Sequence, residues 1–367
     1  MTQSATQKVT IYSPPRLRTA GYLKPMGLFM GVFGLLISVF LLRLVMGSVS
    51  VPLPDVVSVL LGGEATKPAW QTIILDFRLP QAITATLAGA ALGMSGLLMQ
   101  TLFRNPLADP FILGISSGAS LGVAVVVLTV GTVTTTFLTG LGFLGDLGLA
   151  AAASFGAGIV MLIVLTVARR VANGMTLLIL GLIFSYMTSA VVSLLLYFSI
   201  PERIQAYITW TFGSYSGVTW DQLWIMVPTI AVGLATSFVM SKSLNALLLG
   251  EEYAWSMGVN IKRLRVSVIV TTAVLAGTVT AFCGPIGFIG IAVPHLCRNL
   301  FNTSDHRLLV PATVLTGAVI SLAASLIASL PGSNIVLPIN AVTAFIGAPV
   351  VIWVILRRRN VQDTFAS

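Results

Sequence analysis

The side chains that could do chemistry are few, and the most suggestive group is His295, Cys297 and His306. Imidazole and thiolate are ligands that zinc and other transition metals prefer. Their spacing matches no standard metal-ligand pattern, however, and Arg298 and Arg307 beside them would oppose a cation. We therefore expect no metal site, and we expect the histidines to cap helices and to hold loops together.

Motifs for catalysis or energy conversion are missing from the sequence. There is no GxxxxGKS or GxxxxGKT phosphate loop, no GxGxxG after a strand, no HExxH and no CxxC pair. The two cysteines, Cys283 and Cys297, lie in apolar segments. We expect no catalytic residues, no cofactor bound by this chain and no intrinsic ATP hydrolysis. Any process that consumes energy would then need a separate protein to supply that energy.

The composition is typical of a membrane protein. Of 367 residues, 56% are hydrophobic and only 8% are charged, whereas ordinary soluble domains have roughly 25% charged residues. So few charges could not cover a water-facing surface, which excludes a soluble globular protein. The net charge of +9 is spread in small groups between apolar runs, so we expect contact with membrane lipid and no nucleic-acid binding.

Ten membrane-spanning segments are predicted from the apolar runs. A helix needs roughly 20 residues to cross a bilayer. Turn residues at 284–287 and 330–333 divide each of the last two runs into two spans. Because open sheet edges cannot persist in lipid, the fold class is an all-α polytopic membrane protein. The runs without charge are 25–42, 79–103, 110–145, 147–168, 171–201, 222–241, 266–297 and 308–356.

The distribution of basic residues orients these spans. Of the 20 Lys and Arg residues, all but Arg43, Lys67, Arg78 and Arg203 fall on the side of the two termini, and such an excess marks the cytoplasm. We expect a cytoplasmic N-terminal segment at 1–24, a ten-helix transmembrane domain at 25–359 and a cytoplasmic tail at 360–367. An inverted repeat of spans two to five and seven to ten is compatible with this order.

The longest internal cytoplasmic loop, about 242–265, is predicted to form two short helices. Apolar residues recur at helical spacing on both sides of Gly250, which interrupts the pattern, and Gly258 ends it. Such a loop is suited to docking a partner. Elsewhere, Asp109 before a proline is predicted to cap a helix, and Asp305 is placed to cap the helix that follows it.

Glycine pairs at GxxxG spacing lie inside two spans. Gly89 and Gly93 belong to the second span, and Gly118 and Gly122 belong to the third. Small residues allow helices to approach closely in lipid, where no hydrophobic force drives helices together. Close packing is the simplest role of these glycines, and lining a pathway is the alternative.

Five ordered motifs make the chain similar to the FecCD family, the permease subunits of ABC importers for iron-siderophores, haem and cobalamin. The similarity extends from about residue 75 to 359. The motifs, in order, are GAALGMSG at 89–96 with Gln100 and RNPLADPFILGISSGA at 104–119, LGE at 249–251 with GVN at 258–260, GPIGFIG at 284–290, DHR at 305–307 and TAFIGAP at 343–349.

The resemblance implies a set of partners. A second permease subunit, the same or homologous, would complete a central pathway, and a cytoplasmic ABC ATPase dimer with its own ATP and Mg would dock on the loop at 242–265. A periplasmic or lipid-anchored binding protein would deliver a ferric siderophore. The location implied is the bacterial inner membrane, crossed many times.

The resemblance also assigns roles to residues. Arg78 matches an outer-face arginine that receives the binding protein, although Gln81 replaces the second basic residue of that motif, and 336–340 departs from the family pattern near the last span. ATPase docking falls on Leu249, Gly250, Glu251, Glu252 and Ala254. The cytoplasmic gate falls on Asn173, Gly174, Met175 and Thr176, and pathway or packing roles fall on Gly89, Gly93, Gln100, Asn105 and Gly118.

Other functions remain open from the sequence. Haem or cobalamin is the alternative substrate of the same importer class. A stand-alone carrier or channel would transport without ATP, but the spans lack the buried acids of ion-coupled carriers. A membrane-embedded enzyme is disfavoured because no acid, base and nucleophile converge.

Overall fold

The computed structural model describes residues 20–129, 143–170, 174–330, 332–333 and 335–358, and over these residues it contains helices and no strands. The helices are α1 (Ala20–Val45), α2 (Leu53–Leu60), α3 (Pro68–Thr72), α4 (Leu79–Leu102), α5 (Ile115–Ala124), α6 (Phe143–Arg170), α7 (Gly174–Tyr197), α8 (Pro201–Thr211), α9 (Trp220–Val239), α10 (Ser241–Leu248), α11 (Glu251–Ser256), α12 (Ile261–Cys283), α13 (Ile289–Phe301), α14 (His306–Ala328) and α15 (Ile339–Arg358).

The described part of the chain has seven helical segments that are long and apolar enough to cross a membrane. Two shorter apolar segments, Ile115–Leu128 and Ile339–Ile352, lie in and after α5 and in α15. The all-helical, polytopic fold is thereby confirmed, whereas the number of ten spans stays a prediction. The seven segments are Pro25–Val45, Pro68–Leu102, Gly148–Val167, Thr176–Tyr197, Trp220–Val239, Ile261–Cys283 and His306–Ala328.

Helix α4 lies at the centre of the fold, and α1 lies at its periphery. In the segment that contains α4, 83% of the residues of the most apolar stretch are buried. In the corresponding stretch of α1, only 11% are buried. Helix α4 contacts α12, α13 and α14, and its contact with α14 is the most extensive between two described helices. The largely exposed apolar surface of α1 is suited to lipid.

Glycines allow the backbone of α4 to touch its neighbours. A Cβ atom built on Gly89 would lie 2.1 Å from the carbonyl oxygen of Gly317 in α14, and one on Gly96 would lie 1.7 Å from the carbonyl oxygen of Gly290 in α13. No real Cβ atom fits at such distances, so these crossings require glycine. The structure therefore uses these small residues to bring helix axes close together.

The predicted break between α12 and α13 is confirmed. Helix α12 ends at Cys283 and α13 begins at Ile289. The side chain of Asn340, near the start of α15, holds the break: its Oδ1 accepts from Gly287 N at 2.9 Å, and its Nδ2 donates to Pro285 O at 2.6 Å. Thus an amide side chain satisfies backbone groups that the interrupted helix leaves without partners.

The two predicted aspartate caps are also confirmed. Asp109 accepts a hydrogen bond from Phe111 N at 2.8 Å and begins a short 3-10 turn. Asp305 accepts from Arg307 N at 2.9 Å and caps α14. Each carboxylate satisfies one of the N–H groups that the first helical turn cannot pair internally.

Other local features escape prediction from the sequence. Helix α8 (Pro201–Thr211) occupies the second long outer loop, where mixed polar and apolar residues show no apolar run. A π-helical turn, Ile73–Arg78, joins α3 to α4 without interruption. This continuous helix begins well before the first residue of the charge-free run at 79–103.

Candidate functional site

The loop expected to dock an ATPase contains two short helices, as predicted. Helix α10 ends at Leu248 and α11 begins at Glu251, with Gly250 between them at a φ of 122°. Residues with a Cβ rarely adopt this backbone conformation. Glycine at this position therefore permits the sharp change of direction between α10 and α11.

A cluster of apolar side chains projects from this loop. Leu249, Trp255 and Met257 are 66%, 74% and 61% exposed, and Tyr253 is exposed as well. Ala254, by contrast, is fully buried. Its side chain packs within the chain, and its assignment to the docking surface stays a prediction.

The two acids of α11 differ in their surroundings. Glu251 Oε1 accepts a hydrogen bond from Nη2 of Arg265 at 3.0 Å, which pairs α11 with α12. Glu252 is exposed, and it takes part in no ion pair among the described residues. Of the two carboxylates, the one of Glu252 is available to a basic partner, and the one of Glu251 is already paired within the chain.

At the opposite end of the fold, Arg78 lies in the interior. Its side chain is buried, and Nη1 donates to the carbonyl oxygens of Leu44 at 2.6 Å and Val45 at 2.8 Å. Nη2 donates to Val49 O. The guanidinium thus holds the end of α1 and the following loop, and the role of Arg78 in docking stays a prediction.

A second buried arginine, Arg43, lies beside the position where the family motif has its second basic residue. Its Nη2 donates to Gln81 Oε1 at 2.5 Å, and its Nε donates to Ser325 Oγ at 3.1 Å. Arg43, Arg78 and Gln81 line one wall of a cavity of about 500 Å³. No Asp or Glu lines this cavity in the described part of the chain, so its charge is positive.

Gln100 and Asn105 take part in contacts within the chain. Gln100 is buried; its Oε1 accepts from Nη1 of Arg298 at 2.6 Å, and its Nε2 donates to Gly290 O at 3.4 Å. Asn105 Oδ1 accepts from Leu107 N at 3.0 Å and shapes the turn after α4. These contacts account for both residues by packing and loop structure.

The GxxxG glycines also lie at helix contacts. A Cβ on Gly118 would lie 2.7 Å from Gly156 O, and one on Gly122 would lie 2.1 Å from Ala152 O, where α5 meets α6. Gly93 is less crowded, because the nearest atom would be a side-chain methyl of Val293 at 3.0 Å. Packing thus explains Gly118 and Gly122 fully, and a pathway role of these glycines stays a prediction.

The histidines hold loops and helix ends, as expected. His295 Nε2 lies 2.7 Å from the carbonyl oxygen of Pro106 and ties α13 to the loop after α4. His306 is the first residue of α14, and its side chain is fully buried. Among the described residues, no three His, Cys, Asp or Glu side chains lie together in a group able to hold a metal ion.

Comparison with known proteins decides the family. The model of the FecCD transport family matches residues 35–357, nearly the whole chain. The chain belongs to the FecCD transport family. The segments 89–96, 104–119 and 284–290, which carry the resemblance, all lie within the matched range.

Relatives of this FecCD chain include vitamin B12 import system permease proteins named BtuC. The protein of Klebsiella pneumoniae is 38% identical over 298 residues, which cover 81% of this chain and 86% of the relative. The protein of Citrobacter koseri is 37% identical over 290 residues, which cover 79% and 84%. The FecCD chain is accordingly a multi-pass ABC importer permease of the bacterial inner membrane.

A solved structure resembles the FecCD chain over most of its length. It is an inward-facing conformation of a metal-chelate type ABC transporter, with a TM-score of 0.78 and 29% identity, and the match covers 90% of this chain and 99% of the other. The helical arrangement described here is therefore shared with that ABC transporter.

The expected gate of the FecCD chain lies partly outside the described residues. Asn173 is not among them, and neither is the side chain of Met175. Gly174 is the first residue of α7, and Thr176 is exposed. The gate stays a prediction.

Sequence reasoning missed two residues whose contacts only the fold reveals. The sequence assigns no role to Arg43, and in the fold its side chain reaches from α1 to Gln81 and Ser325. The sequence likewise assigns no role to Asn245 in the docking loop, and in the fold its side chain donates to Asp305 at the start of α14. Neither contact has a local pattern, because the partners are far apart in the sequence.

Proposed function

We propose that this FecCD chain is the permease subunit of a vitamin B12 importer, driven by a separate ATPase dimer and supplied by a binding protein outside the membrane. The assignment of the substrate rests on the 38% identity to a vitamin B12 permease over 81% of this chain. The chain itself carries no nucleotide-binding motif. It would shape the pathway together with a second permease subunit, the same or homologous.

The proposed topology has ten spans with both termini in the cytoplasm. Seven described segments are long enough to span a membrane, and two shorter apolar helices are Ile115–Leu128 and Ile339–Ile352. Together with α13, which has 13 residues, they would complete the number. Short helices can contribute to a pathway where neighbouring protein covers their ends. The distribution of Lys and Arg supports this orientation.

The apolar cluster of the docking loop supports attachment of an ATPase there. On the proposed topology, Leu249, Trp255 and Met257 face the cytoplasm, where exposure of large apolar side chains to water is unfavourable. A partner that buries them would gain stability, and aromatic side chains often dominate such interfaces. Glu252 would add a charge at the edge of the contact.

The outer cavity supports attachment of a binding protein. Arg78 and Arg43 place two cations beside Gln81 with no acid in the lining. We assign Arg78 the positioning of the outer loop, through its bonds to carbonyl oxygens. The positive potential of Arg78 and Arg43 together would attract a carboxylate on the binding protein as it approaches.

A ferric siderophore is the second candidate substrate. The observation in its favour is the resemblance, at 29% identity, to a metal-chelate type ABC transporter. Both kinds of cargo are large and polar, and walls of Gly, Ala, Ser and Thr would offer few strong contacts to either. The vitamin B12 proposal has priority because the relatives bearing that name are more similar in sequence.

A substrate panel tests the proposal. The chain is purified with its ATPase and binding protein, reconstituted in liposomes, and supplied with cobalamin, a ferric hydroxamate or haem. We expect cobalamin to stimulate ATP hydrolysis and to accumulate in the liposomes. Accumulation of the ferric hydroxamate with no response to cobalamin would replace the vitamin B12 proposal by the siderophore proposal.

A further inference from the structure

Three polar side chains from three helices meet behind the docking loop. Asn245 belongs to α10, His306 begins α14, and Thr101 lies in the last turn of α4. We call these three residues the coupling cluster. His306 and Thr101 are fully buried, and a buried polar network has strict geometry because each unpaired group would be costly.

Asn245 completes the start of α14. Its Oδ1 accepts from the backbone N of His306 at 2.8 Å, and its Nδ2 donates to Oδ1 of Asp305 at 2.5 Å. The first N–H groups of a helix have no partner within the helix. A side chain of α10 therefore pairs with the first turn of α14, next to the cap that Asp305 forms.

The orientation of the Asn245 amide determines the bonds of the His306 ring. A backbone N–H can only donate, so the amide atom that faces it is the oxygen. The same oxygen lies 2.8 Å from Nδ1 of His306, which must then carry the hydrogen. Nε2 of the ring lies 2.8 Å from Oγ1 of Thr101. The imidazole thus bridges α10 and α4.

The cluster lies between the docking surface and the core. Helix α10 leads directly into Leu249 and Gly250, and α4 and α14 form the most extensive helix contact of the described fold. Arg104, just after α4, adds a hydrogen bond from Nη2 to Leu248 O at 3.3 Å. A displacement of α10 would accordingly act on both central helices at once.

We propose that the coupling cluster transmits movement of the docked ATPase to α4 and α14, with Asn245 as the positioning residue. This inference rests on the proposed function. A contiguous network of hydrogen bonds between rigid elements can carry a rigid-body movement from one site to another. Because His306 and Thr101 are fully buried, we expect the cluster to act on coupling and not on binding.

The first test replaces Asn245 in the complete importer. Asn245→Ala removes the bonds to Asp305 and to His306 together, and Asn299→Ala is the matched control because Asn299 is exposed in α13. In liposomes, we expect the cobalamin transported per ATP hydrolysed to fall about tenfold in Asn245→Ala. The control should keep the ratio of the unmodified importer.

The second test acts at the other end of the cluster. Thr101→Val keeps the shape of the side chain and removes the hydroxyl, whereas Thr101→Ser keeps the hydroxyl. We expect Thr101→Val to lower the transport ratio and Thr101→Ser to preserve it. In the double variant that combines Thr101→Val with Asn245→Ala, the fold-decrease in the transport ratio should be smaller than the product of the two single decreases. The reason is that both changes interrupt the same connection.

The outcomes separate this inference from the proposed function. If the unmodified complex neither assembles nor transports, the proposed function is wrong. If it transports, and Thr101→Val and Asn245→Ala assemble with an unchanged ratio, the coupling inference is wrong. Should Asn245→Ala fail to assemble, the comparison of Thr101→Val with Thr101→Ser decides, since a purely structural role would lower yield and leave the ratio unchanged.

Discussion

Glu251 Oε1 lies 3.0 Å from Nη2 of Arg265, so the first acid of α11 is paired within the chain. Glu252, its neighbour in sequence, is exposed. Two adjacent carboxylates of the proposed docking surface therefore have different tasks. Glu251 joins α11 to α12, and Glu252 is available to a basic partner.

Substitution of the two acids should separate these tasks. Charges at the edge of an interface act mainly on association rate and salt dependence. We expect Glu252→Ala to slow ATPase association and to weaken its salt dependence, as measured by surface plasmon resonance at two salt concentrations. Glu251→Ala should instead lower the stability of the loop by about 0.5–1 kcal/mol, because an ion pair whose carboxylate is half exposed contributes only a little to stability. Equal salt effects of both variants would contradict this division.

Trp255 should be the main apolar contact of the docking surface. It is 74% exposed in the isolated chain, and burial of such a ring at an interface is commonly worth about 2 kcal/mol or more. We expect Trp255→Ala to weaken ATPase binding about 30-fold, as measured by titration of labelled ATPase. Trp224→Ala is the control, because Trp224 is 80% exposed on α9; an equal loss there would contradict a specific docking role.

The contact between α5 and α6 should tolerate no side chain at Gly156. A Cβ there would lie 2.1 Å from Gly118 O, whereas nothing lies within 4 Å of one on Gly158 in the same helix. We expect Gly156→Ala to destabilise the chain by about 1–3 kcal/mol, detectable as earlier thermal unfolding in detergent. Gly158→Ala should unfold at or above the original temperature, and the same loss in both variants would refute the close approach.

Sequence reasoning reached those features whose signals are local. Asp109 and Asp305 as caps follow from the residues that succeed them, and the turn at Gly250 follows from the apolar pattern on each side. The small share of charged residues in the sequence is enough to indicate a membrane protein. These features depend on short segments, and so a single sequence can reveal them.

The contacts that escaped prediction join distant segments. Arg43 and Gln81 meet because α1 and α4 lie side by side, and Asn245 reaches Asp305 because α10 folds against the start of α14. No spacing rule connects such pairs. The span count was difficult for a related reason: shorter helices such as α13 are stabilised by neighbouring helices and not by their own length.

Asp109 should make stability depend on pH. Burial raises the pKa of its carboxyl to about 6, although the hydrogen bond from Phe111 N partly opposes this shift. The folded chain thus binds the proton more tightly than the unfolded chain. The associated stability is complete below the unfolded value near 3.8 and is lost as the pH rises through about 6.

Measuring the unfolding of the Asp109→Asn variant and of the unmodified chain side by side isolates the pH effect of Asp109. Asparagine can still accept the hydrogen bond of the cap but does not titrate. We expect the free energy of unfolding of the unmodified chain, relative to the variant, to fall by on the order of 1–3 kcal/mol between about pH 4 and pH 7. A difference that rises with pH would contradict the sign.

Asp305 should show the opposite sign. Its hydrogen bond from Arg307 N, the largest cause, holds the pKa of the Asp305 carboxyl below its usual value. The folded chain therefore favours the ionised form, and the stability that Asp305 contributes is lost as the pH falls through its folded pKa. Asp305→Asn should remove this loss at low pH in the same unfolding measurement.

The most direct measurement compares cobalamin uptake by liposomes that contain the chain alone, the complete importer, or the complete importer with an ATPase that binds but cannot hydrolyse ATP. A binding protein and ATP are present in every case. The account predicts accumulation against a gradient only in the complete, hydrolysing importer. Accumulation by the chain alone, or ATP hydrolysis by the isolated chain, would contradict it.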